Sequence, residues 1–129
     1  MKKLILLVED SEPIRENTSE LLELAGYEMV IATDAYNALE LVKLKPPDLI
    51  LCDISMPGMD GYTFLQTIKD NSQLSSIPFI FFTAYSEPSE IKKGFLMGAV
   101  DYLVKPFDGD QLVEMVKKNL SAETVGGGN

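Results

Sequence analysis

Five short apolar segments, separated by longer segments with helical periodicity, limit the folds open to this chain. The apolar segments are residues 4–8, 29–32, 49–52, 78–82 and 102–104. They show no regular polar alternation, which is typical of strands buried on both faces of a sheet. Each intervening segment repeats apolar residues at the spacing of a helix with one apolar face. Five successive βα units predict a doubly wound α/β fold, in which helices cover both faces of a parallel sheet.

Residues typical of helix ends mark the borders between these segments. Ser11 and Asp108 suit helix N-caps, and Gly26 and Gly98 suit the positions just after a helix. The chain of 129 residues is long enough for one hydrophobic core and short for two. We therefore assign residues 1–120 to one domain. Residues 121–129, which include the run GGGN, are assigned to a flexible tail, a linker or a cloning remnant.

The composition argues against several classes of function. The chain has no histidine, which excludes catalytic triads of the usual kind, histidine-ligated metal sites and a phosphohistidine on this chain. Its formal net charge of -9 repels nucleic acid phosphates and anionic lipids, so we expect no direct binding of nucleic acid or membranes. The single cysteine, Cys52, cannot form an internal disulfide, and this favours a cytoplasmic location.

Polar side chains follow four of the five predicted strands, at the edge where ligands bind in folds of this class. They are Glu9, Asp10, Asp53, Thr83 and Lys105. Each has an ordinary structural interpretation when it is taken alone, as an acid near a helix start, a turn cap or a solvated charge. Three carboxylates at one edge repel each other, however, and such a cluster is stable mainly when a cation neutralises it. The combination therefore predicts a metal site.

The chemistry of these groups predicts a receptor for a phosphoryl group. Mg²⁺ prefers oxygen ligands and commonly binds one or two carboxylates together with phosphate oxygens, so Glu9, Asp10 and Asp53 suit it. Lys105 can pair with an anionic oxygen, and the Thr83 hydroxyl can donate to another. Because the chain has no histidine nucleophile, the best acceptor is a carboxylate that attacks phosphorus to form an acyl phosphate. Asp53, at the centre of the edge, is the candidate.

Other phosphate-binding folds are not supported. The sequence contains no G-x-x-x-x-G-K-[ST] loop, and the first βα turn, VEDSEP, contains no G-x-G-x-x-G. A flavodoxin-like FMN-binding protein would share the fold class, but its first loop should offer hydroxyl and amide groups to the phosphate. Glu9 and Asp10 in this loop repel a phosphate unless a metal lies between them and the anion.

Four stretches, in this order, resemble the receiver domain of two-component response regulators. They are LLVEDSEPIR, PDLILCDISMPGMDGYTFL, PFIFFTAY and GAVDYLVKPF, and the resemblance covers about residues 3 to 120. It implies a flavodoxin-like three-layer sandwich of the chemotaxis-regulator type, with a parallel five-stranded sheet in the order 2-1-3-4-5. The resemblance also implies a signalling module and not an enzyme with a separate substrate. Such a module catalyses only its own phosphorylation and dephosphorylation.

The resemblance gives each group at the strand ends a role. It implies that Asp53 accepts a phosphoryl group from the phosphohistidine of a sensor histidine kinase or phosphotransfer protein. Glu9 and Asp10 match the acidic pair of the family, and the backbone carbonyl of Ser55 matches a further metal ligand beside Asp53. Lys105 matches the lysine that contacts the phosphoryl group. The implied cofactor is Mg²⁺, for which Mn²⁺ can substitute.

The resemblance also implies how the signal is read and how long it lasts. Thr83 and Tyr102 match the switch pair of the family, in which the phosphoryl group draws the hydroxyl inward and the aromatic ring turns into the vacated space. Ser55 and Tyr85 lie, by position, where side chains tune the lifetime of the phosphoryl group. The bond before Pro106 is expected to be cis.

The surface expected to change is formed by the fourth helix, fifth strand and fifth helix. A downstream effector domain or protein is the implied partner, and we expect a monomer or a weak, phosphorylation-dependent dimer. Gln111 and Met115 stand where an acid and a base are usual in dimerising relatives. Two alternatives stay open: a metal-dependent aspartyl-phosphate phosphatase, which would usually carry an aspartate at Ser55, and a pseudo-receiver that binds partners without phosphorylation.

Overall fold

The computed structural model describes the backbone of residues 1–128 and the side chains of residues 1–120. Within these residues the chain alternates five strands with five helices. The strands are β1 (Leu4–Val8), β2 (Glu28–Ala32), β3 (Leu49–Cys52), β4 (Phe79–Thr83) and β5 (Asp101–Val104). The helices are α1 (Glu12–Leu24), α2 (Ala35–Leu44), α3 (Gly61–Asp70), α4 (Pro88–Leu96) and α5 (Gly109–Gly128). The side chains of the predicted tail, residues 121–129, lie outside the described residues, so the tail stays a prediction.

The strands form one parallel sheet in the order β2-β1-β3-β4-β5, which confirms the predicted fold class and strand order. In the register of the sheet, Val8 lies beside Cys52 and Thr83 beside Val104. The carboxyl ends of the neighbouring strands are therefore level. Whatever follows these strands in the sequence is brought to one edge.

The borders of three strands differ from the sequence prediction. β2 and β5 each begin one residue earlier, at Glu28 and Asp101, and β4 is shifted by one residue. β4 includes Thr83 as its last residue and begins after Pro78. Proline has no backbone N–H to donate to a neighbouring strand, which explains why Pro78 precedes the strand instead of opening it. The Thr83 side chain consequently lies on the sheet and is fully buried.

Two hydrophobic clusters lie on opposite faces of the sheet. One face packs against α1 and α5 through residues that include Leu22, Leu112 and Val116. The other face packs mainly against α2 and α3, through residues that include Val42 and Phe64, with α4 partly buried against the same cluster. Helices thus cover both faces of the three central strands, β1, β3 and β4, as the apolar segments predicted. The prediction is wrong for β2, which lies at the edge of the sheet and buries only Ala32 fully.

The helix ends follow familiar local chemistry. Gly26 and Gly98 follow α1 and α4 with φ of 102° and 114°, a conformation that favours glycine and confirms these helix ends. Asp34 and Asp60 cap α2 and α3, and each carboxylate accepts a hydrogen bond from the backbone N–H three residues later, at 2.8 and 2.9 Å. No helix among the described residues has the length and apolarity to cross a membrane.

Candidate functional site

Lys105 joins two buried carboxylates at the carboxyl edge of the sheet. Its Nζ atom donates to Glu9 Oε1 at 2.6 Å and to Asp53 Oδ2 at 2.9 Å. Glu9 is 1% exposed and Asp53 6% exposed, and 13% of the Lys105 side chain is exposed. We call these three residues the charge cluster. Its members follow β1, β3 and β5, so the strand order of the sheet brings together residues far apart in the sequence.

The second oxygen of each carboxylate is held by backbone groups. Glu9 Oε2 accepts from the Ser11 N–H at 3.0 Å. Asp53 Oδ1 accepts from the N–H groups of Ile54 and Ser55, at 2.7 and 3.3 Å. Both carboxylates are therefore held at both oxygens. Their positions are set by the backbone as much as by the lysine.

Asp10 completes a set of oxygen ligands that fits a hard divalent cation. Glu9, Asp10 and Asp53 each offer one carboxylate oxygen, and these atoms lie within 4.8 Å of one another. Asp10 is exposed, whereas the other two are buried. Three carboxylates face one ammonium group, which leaves negative charge at the edge, and oxygen ligands of this kind suit Mg²⁺. The predicted metal site thus fits the residues present.

The electrostatics of the charge cluster depend on mutual pairing. Burial raises the pKa of Glu9 above its ordinary value, and the hydrogen bond from Lys105 opposes this rise. Burial alone would lower the pKa of Lys105, but the two carboxylates that it contacts raise it overall. The lysine consequently remains a cation at neutral pH. Its Nζ atom also lies 4.7 Å from the centre of the Phe82 ring, which further favours the charged form.

Two further residues support this edge. Arg15 donates from Nη1 to the backbone carbonyls of Glu9 and Asp10, at 3.1 and 3.3 Å. A Cβ atom on Gly61 would overlap the Asp53 carbonyl oxygen and lie 2.8 Å from Ile54 Cα. The glycine therefore allows α3 to start directly against the backbone of Asp53.

The predicted switch residues lie next to the charge cluster and contact each other through one loop residue. The Thr83 hydroxyl accepts from the Tyr85 N–H at 3.3 Å, and the Tyr102 hydroxyl donates to the Tyr85 carbonyl at 2.8 Å. Tyr102 is 8% exposed, so its ring is turned inward. Burial raises its pKa to about 12. In the described residues, the hydrogen bonds of the Thr83 hydroxyl do not include Asp53 or Lys105.

The two residues predicted to tune the lifetime of a phosphoryl group border the site on its solvent side. Ser55 is exposed and Tyr85 is 40% exposed. The Ser55 N–H contacts Asp53, while a metal-binding role for its carbonyl stays a prediction. The peptide bond between Lys105 and Pro106 is cis.

The sequence matches the family model of the response regulator receiver domain over residues 5–117. The chain belongs to this family, which confirms the resemblance found in its four sequence stretches. Receiver domains of two-component response regulators are phosphorylation-switched signalling modules. They generally bind Mg²⁺ at an acidic pocket and interact with kinases and output domains.

Two curated relatives of the chain are transcriptional regulatory proteins. The chain is 38% identical over 117 residues to the phosphate regulon transcriptional regulatory protein PhoB of Escherichia coli (strain K12), covering 91% of this chain and 51% of PhoB. It is 38% identical over 118 residues to the transcriptional regulatory protein CrdR of Helicobacter pylori, covering 92% of this chain and 55% of CrdR. The chain spans about half the length of these curated relatives.

Solved structures share the whole fold. The chemotaxis protein CheY4 of Vibrio cholerae superposes with a TM-score of 0.87 at 32% identity, covering 92% of this chain and 98% of CheY4. A CheY-like response regulator receiver domain protein from Methanospirillum hungatei JF-1 superposes with a TM-score of 0.88 at 29% identity, covering 96% and 98%. The chain thus matches nearly the full length of receiver domains that were solved on their own.

Proposed function

We propose that Asp53 is the phosphoacceptor of this receiver domain. The observation that carries the proposal is the charge cluster, in which the Asp53 carboxylate is level with the end of β3, oriented by two backbone N–H groups and paired with Lys105. The donor is a phosphohistidine of a sensor histidine kinase or phosphotransfer protein, since the chain has no histidine of its own. The transfer belongs in the cytoplasm, where a lone buried Cys52 stays reduced.

In the transfer, an oxygen of the Asp53 carboxylate attacks phosphorus, and the bond from phosphorus to the donor imidazole nitrogen breaks. The electron pair of that bond leaves with the imidazole. Lys105 opposes the charge on the phosphoryl oxygens, and its link to Glu9 keeps the ammonium in place while its contact with Asp53 changes. Most of the catalysis is positioning and charge neutralisation, because little covalent chemistry is asked of other side chains.

The acidic edge would hold the metal that this reaction requires. We assign Glu9, Asp10, Asp53 and the Ser55 backbone carbonyl to Mg²⁺, with Mn²⁺ able to substitute. The bound ion supplies positive charge that offsets the negative charge of the phosphoryl oxygens. Without it, the three carboxylates repel a phosphoryl donor.

An apolar groove beside the site suits the donor protein. It has a volume of about 480 Å³ and is lined by residues of α1 and of the segment after β5, among them Ile14, Pro106 and Phe107. Lys105 forms part of its wall, so a helix of the partner seated there would carry its phosphohistidine towards Asp53. We propose this groove as the docking place of the donor.

The output follows from the switch pair. A phosphoryl group on Asp53 would attract the Thr83 hydroxyl and favour the inward position of Tyr102 over an outward one, and this shift in population would change the surface of α4, β5 and α5. Ser55 and Tyr85 flank the path of a hydrolytic water and would set the lifetime of the acyl phosphate. The partner on the changed surface is a downstream effector domain or protein, and the chain acts as a monomer or a weak, phosphorylation-dependent dimer.

The test is labelling by a small acyl phosphate with Mg²⁺, followed by intact-protein mass measurement. The chain should gain the mass of one phosphoryl group, Asp53→Asn should gain none, and chelation of Mg²⁺ should suppress the gain. Asp110→Asn is the matched control, because it makes the same change at an exposed carboxylate in α5. Equal labelling of Asp53→Asn would contradict the assignment.

A further inference from the structure

Tyr62 connects α3 to α4 through contacts on its hydroxyl and on its ring. Its hydroxyl donates to Glu90 Oε2, in the first turn of α4. Its ring meets Phe81 edge to face with centroids 5.5 Å apart, and Lys93 Nζ lies 4.0 Å from the ring centre. Tyr62 is only 8% exposed. These contacts define one side chain that joins two helices and a strand.

The α3 end of this connection is attached to residues 53 and 54, which we call the phosphoacceptor segment. Tyr62 follows Gly61, whose N–H donates to the Ile54 carbonyl at 2.8 Å and whose Cα packs against the backbone of Asp53. A displacement of the backbone at Asp53 is therefore passed directly to the first turn of α3. Tyr62 lies in that turn.

The α4 end is attached to the loop that carries the switch. The N–H of Glu90 donates to the Glu87 carbonyl at 3.0 Å, so Glu90 is part of the first turn after the β4–α4 loop. Tyr85, which accepts from the Tyr102 hydroxyl, lies in the same loop. The hydroxyl of Tyr62 thus connects the start of α3 with the start of α4.

The ring of Tyr62 also belongs to the packing around the inward Tyr102. Phe81 contacts Tyr62 on one side and Tyr102 on the other, with the second pair of centroids 6.0 Å apart. Gly94 of α4 lies against both Phe81 and Tyr102. We call Tyr62, Phe81 and Tyr102 the aromatic group. The Tyr62–Glu90 bond and the inward Tyr102 therefore occur in one and the same conformation.

We propose that Tyr62 is a positioning residue of the switch, which holds α4 over the inward Tyr102 through its hydroxyl bond to Glu90. The inference rests on the proposed phosphorylation of Asp53 and extends it. If the bond favours the conformation that phosphorylation selects, the linkage is reciprocal: the bond also strengthens binding of a phosphoryl group or its mimic at Asp53.

The chemistry of the bond suits this role at neutral pH. Burial and the neighbouring Glu90 both raise the pKa of Tyr62, so its hydroxyl remains a donor. Glu90 is partly buried, and a hydrogen bond to a charged acceptor is stronger than one between neutral groups. The contact with Lys93 on the ring face adds to the attachment of α4 without requiring the hydroxyl.

The test compares variants of the full chain in their affinity for beryllium fluoride, a phosphoryl mimic, with Mg²⁺ present and ¹⁹F NMR as the readout. Tyr62→Phe removes only the hydroxyl and should weaken binding about tenfold, the order expected when one of two states loses a hydrogen bond to a charged group. Glu90→Gln keeps an acceptor oxygen but removes its charge, so it should weaken binding by less than Tyr62→Phe does. The double variant should match Tyr62→Phe alone.

Hydrogen exchange of α4 separates coupling from a general loss of stability. The mimic should protect the first-turn amides of α4 in the original chain and protect them less in Tyr62→Phe. Tyr27→Phe is the matched control, because Tyr27 packs on the opposite face of the sheet, and it should respond like the original chain. An unchanged affinity and unchanged α4 protection in Tyr62→Phe would overturn the inference alone. Absence of mimic binding in the original chain would overturn the proposed function as well.

Discussion

The charge cluster and the aromatic group lie close together but are held by different kinds of interaction. In the charge cluster, ionised groups contact at 2.6 and 2.9 Å, and every carboxylate oxygen has a partner. In the aromatic group, rings pack at centroid distances of 5.5 and 6.0 Å, and two hydroxyls make the polar contacts. One region is held by directed charge and the other by packing.

The aromatic group can move more easily than the charge cluster during a response. A buried charge that loses its partner is costly, so the charge cluster has few alternative arrangements. Ring contacts are individually weak, and an aromatic side chain can exchange one packed position for another at a smaller cost. We therefore expect the charge cluster to shift only slightly during the chemistry, at the Asp53 backbone and its contact with Lys105, while the aromatic group carries the larger conformational change.

The largest effect is expected from Lys105→Met, which keeps the apolar stem and removes the charge. Phosphorylation of Asp53 by a small acyl phosphate should slow by about 10³-fold, the size seen when an electrostatic contact to a reacting oxyanion is removed. The affinity for Mg²⁺ should rise about tenfold, because Glu9 and Asp53 lose the ammonium group that pairs with them. Labelling kinetics and metal titration measure the two effects. A fall in both rate and metal affinity would show a collapsed site instead of a missing charge.

The next effect is expected from Gly61→Ala, which breaks the contact between α3 and the phosphoacceptor segment. The new Cβ meets backbone atoms of Asp53 and Ile54, which cannot rotate away. The free energy of unfolding should fall by about 3 kcal/mol, at the upper end for an overpacked site. Urea unfolding measures the fall. A change below about 0.5 kcal/mol, the level of a neutral surface substitution, would contradict the close packing.

Much of the charge cluster could be predicted because it depends on strand ends and topology alone. Glu9 and Asp53 come directly after apolar segments, and parallel strands place those ends at one edge. Lys105 follows β5 at the same edge and contacts both carboxylates. Charge and position at the strand ends were readable from the residues, whereas the strand order was implied by the family resemblance.

The aromatic group could be predicted only in part. Tyr102 was found through the family resemblance, but the bond from Tyr62 to Glu90 joins residues of two helices that are 28 positions apart in the sequence. Such a contact depends on the rotation and offset of α3 relative to α4, which apolar periodicity does not determine. An aromatic residue after a glycine looks like any core residue, so Tyr62 carried no distinguishing signal.

A third, smaller effect concerns the burial of Tyr102. Its pKa is raised from 10.0 to about 12 in the fold, mainly by burial. Below the unfolded value both states keep the proton; above it the unfolded chain releases the proton first, so stability is lost as pH rises towards the folded value. Between these two pKa values the unfolding free energy should fall by on the order of 2 kcal/mol on account of Tyr102.

Tyr102→Phe isolates this contribution. The variant lacks the hydroxyl, so its alkaline loss of stability should be smaller by about that amount. Lys105 keeps its contacts, and the pKa of Tyr62 loses only the minor contribution that Tyr102 makes to its rise. Urea unfolding followed by circular dichroism at a series of alkaline pH values gives the comparison. Parallel curves for the two chains would show that the Tyr102 hydroxyl is not buried in solution.

The smallest effect on stability is expected from Gly94→Ala, which tests the packing beside the aromatic group as Gly61→Ala tests it beside the charge cluster. Its Cβ would lie 3.1 Å from Phe81 and 3.3 Å from Tyr102, and both neighbours are side chains that can shift. Alanine also improves a helix interior by about 1 kcal/mol, which offsets part of the crowding. We expect the free energy of unfolding in urea to change by less than about 1 kcal/mol.

Tyr102 should nevertheless be pushed outward in Gly94→Ala, so the alkaline loss of stability should shrink towards that of Tyr102→Phe. A loss as large as that of Gly61→Ala would mean that the aromatic group is as rigid as the charge cluster, and the division between a fixed site and a movable response would fail.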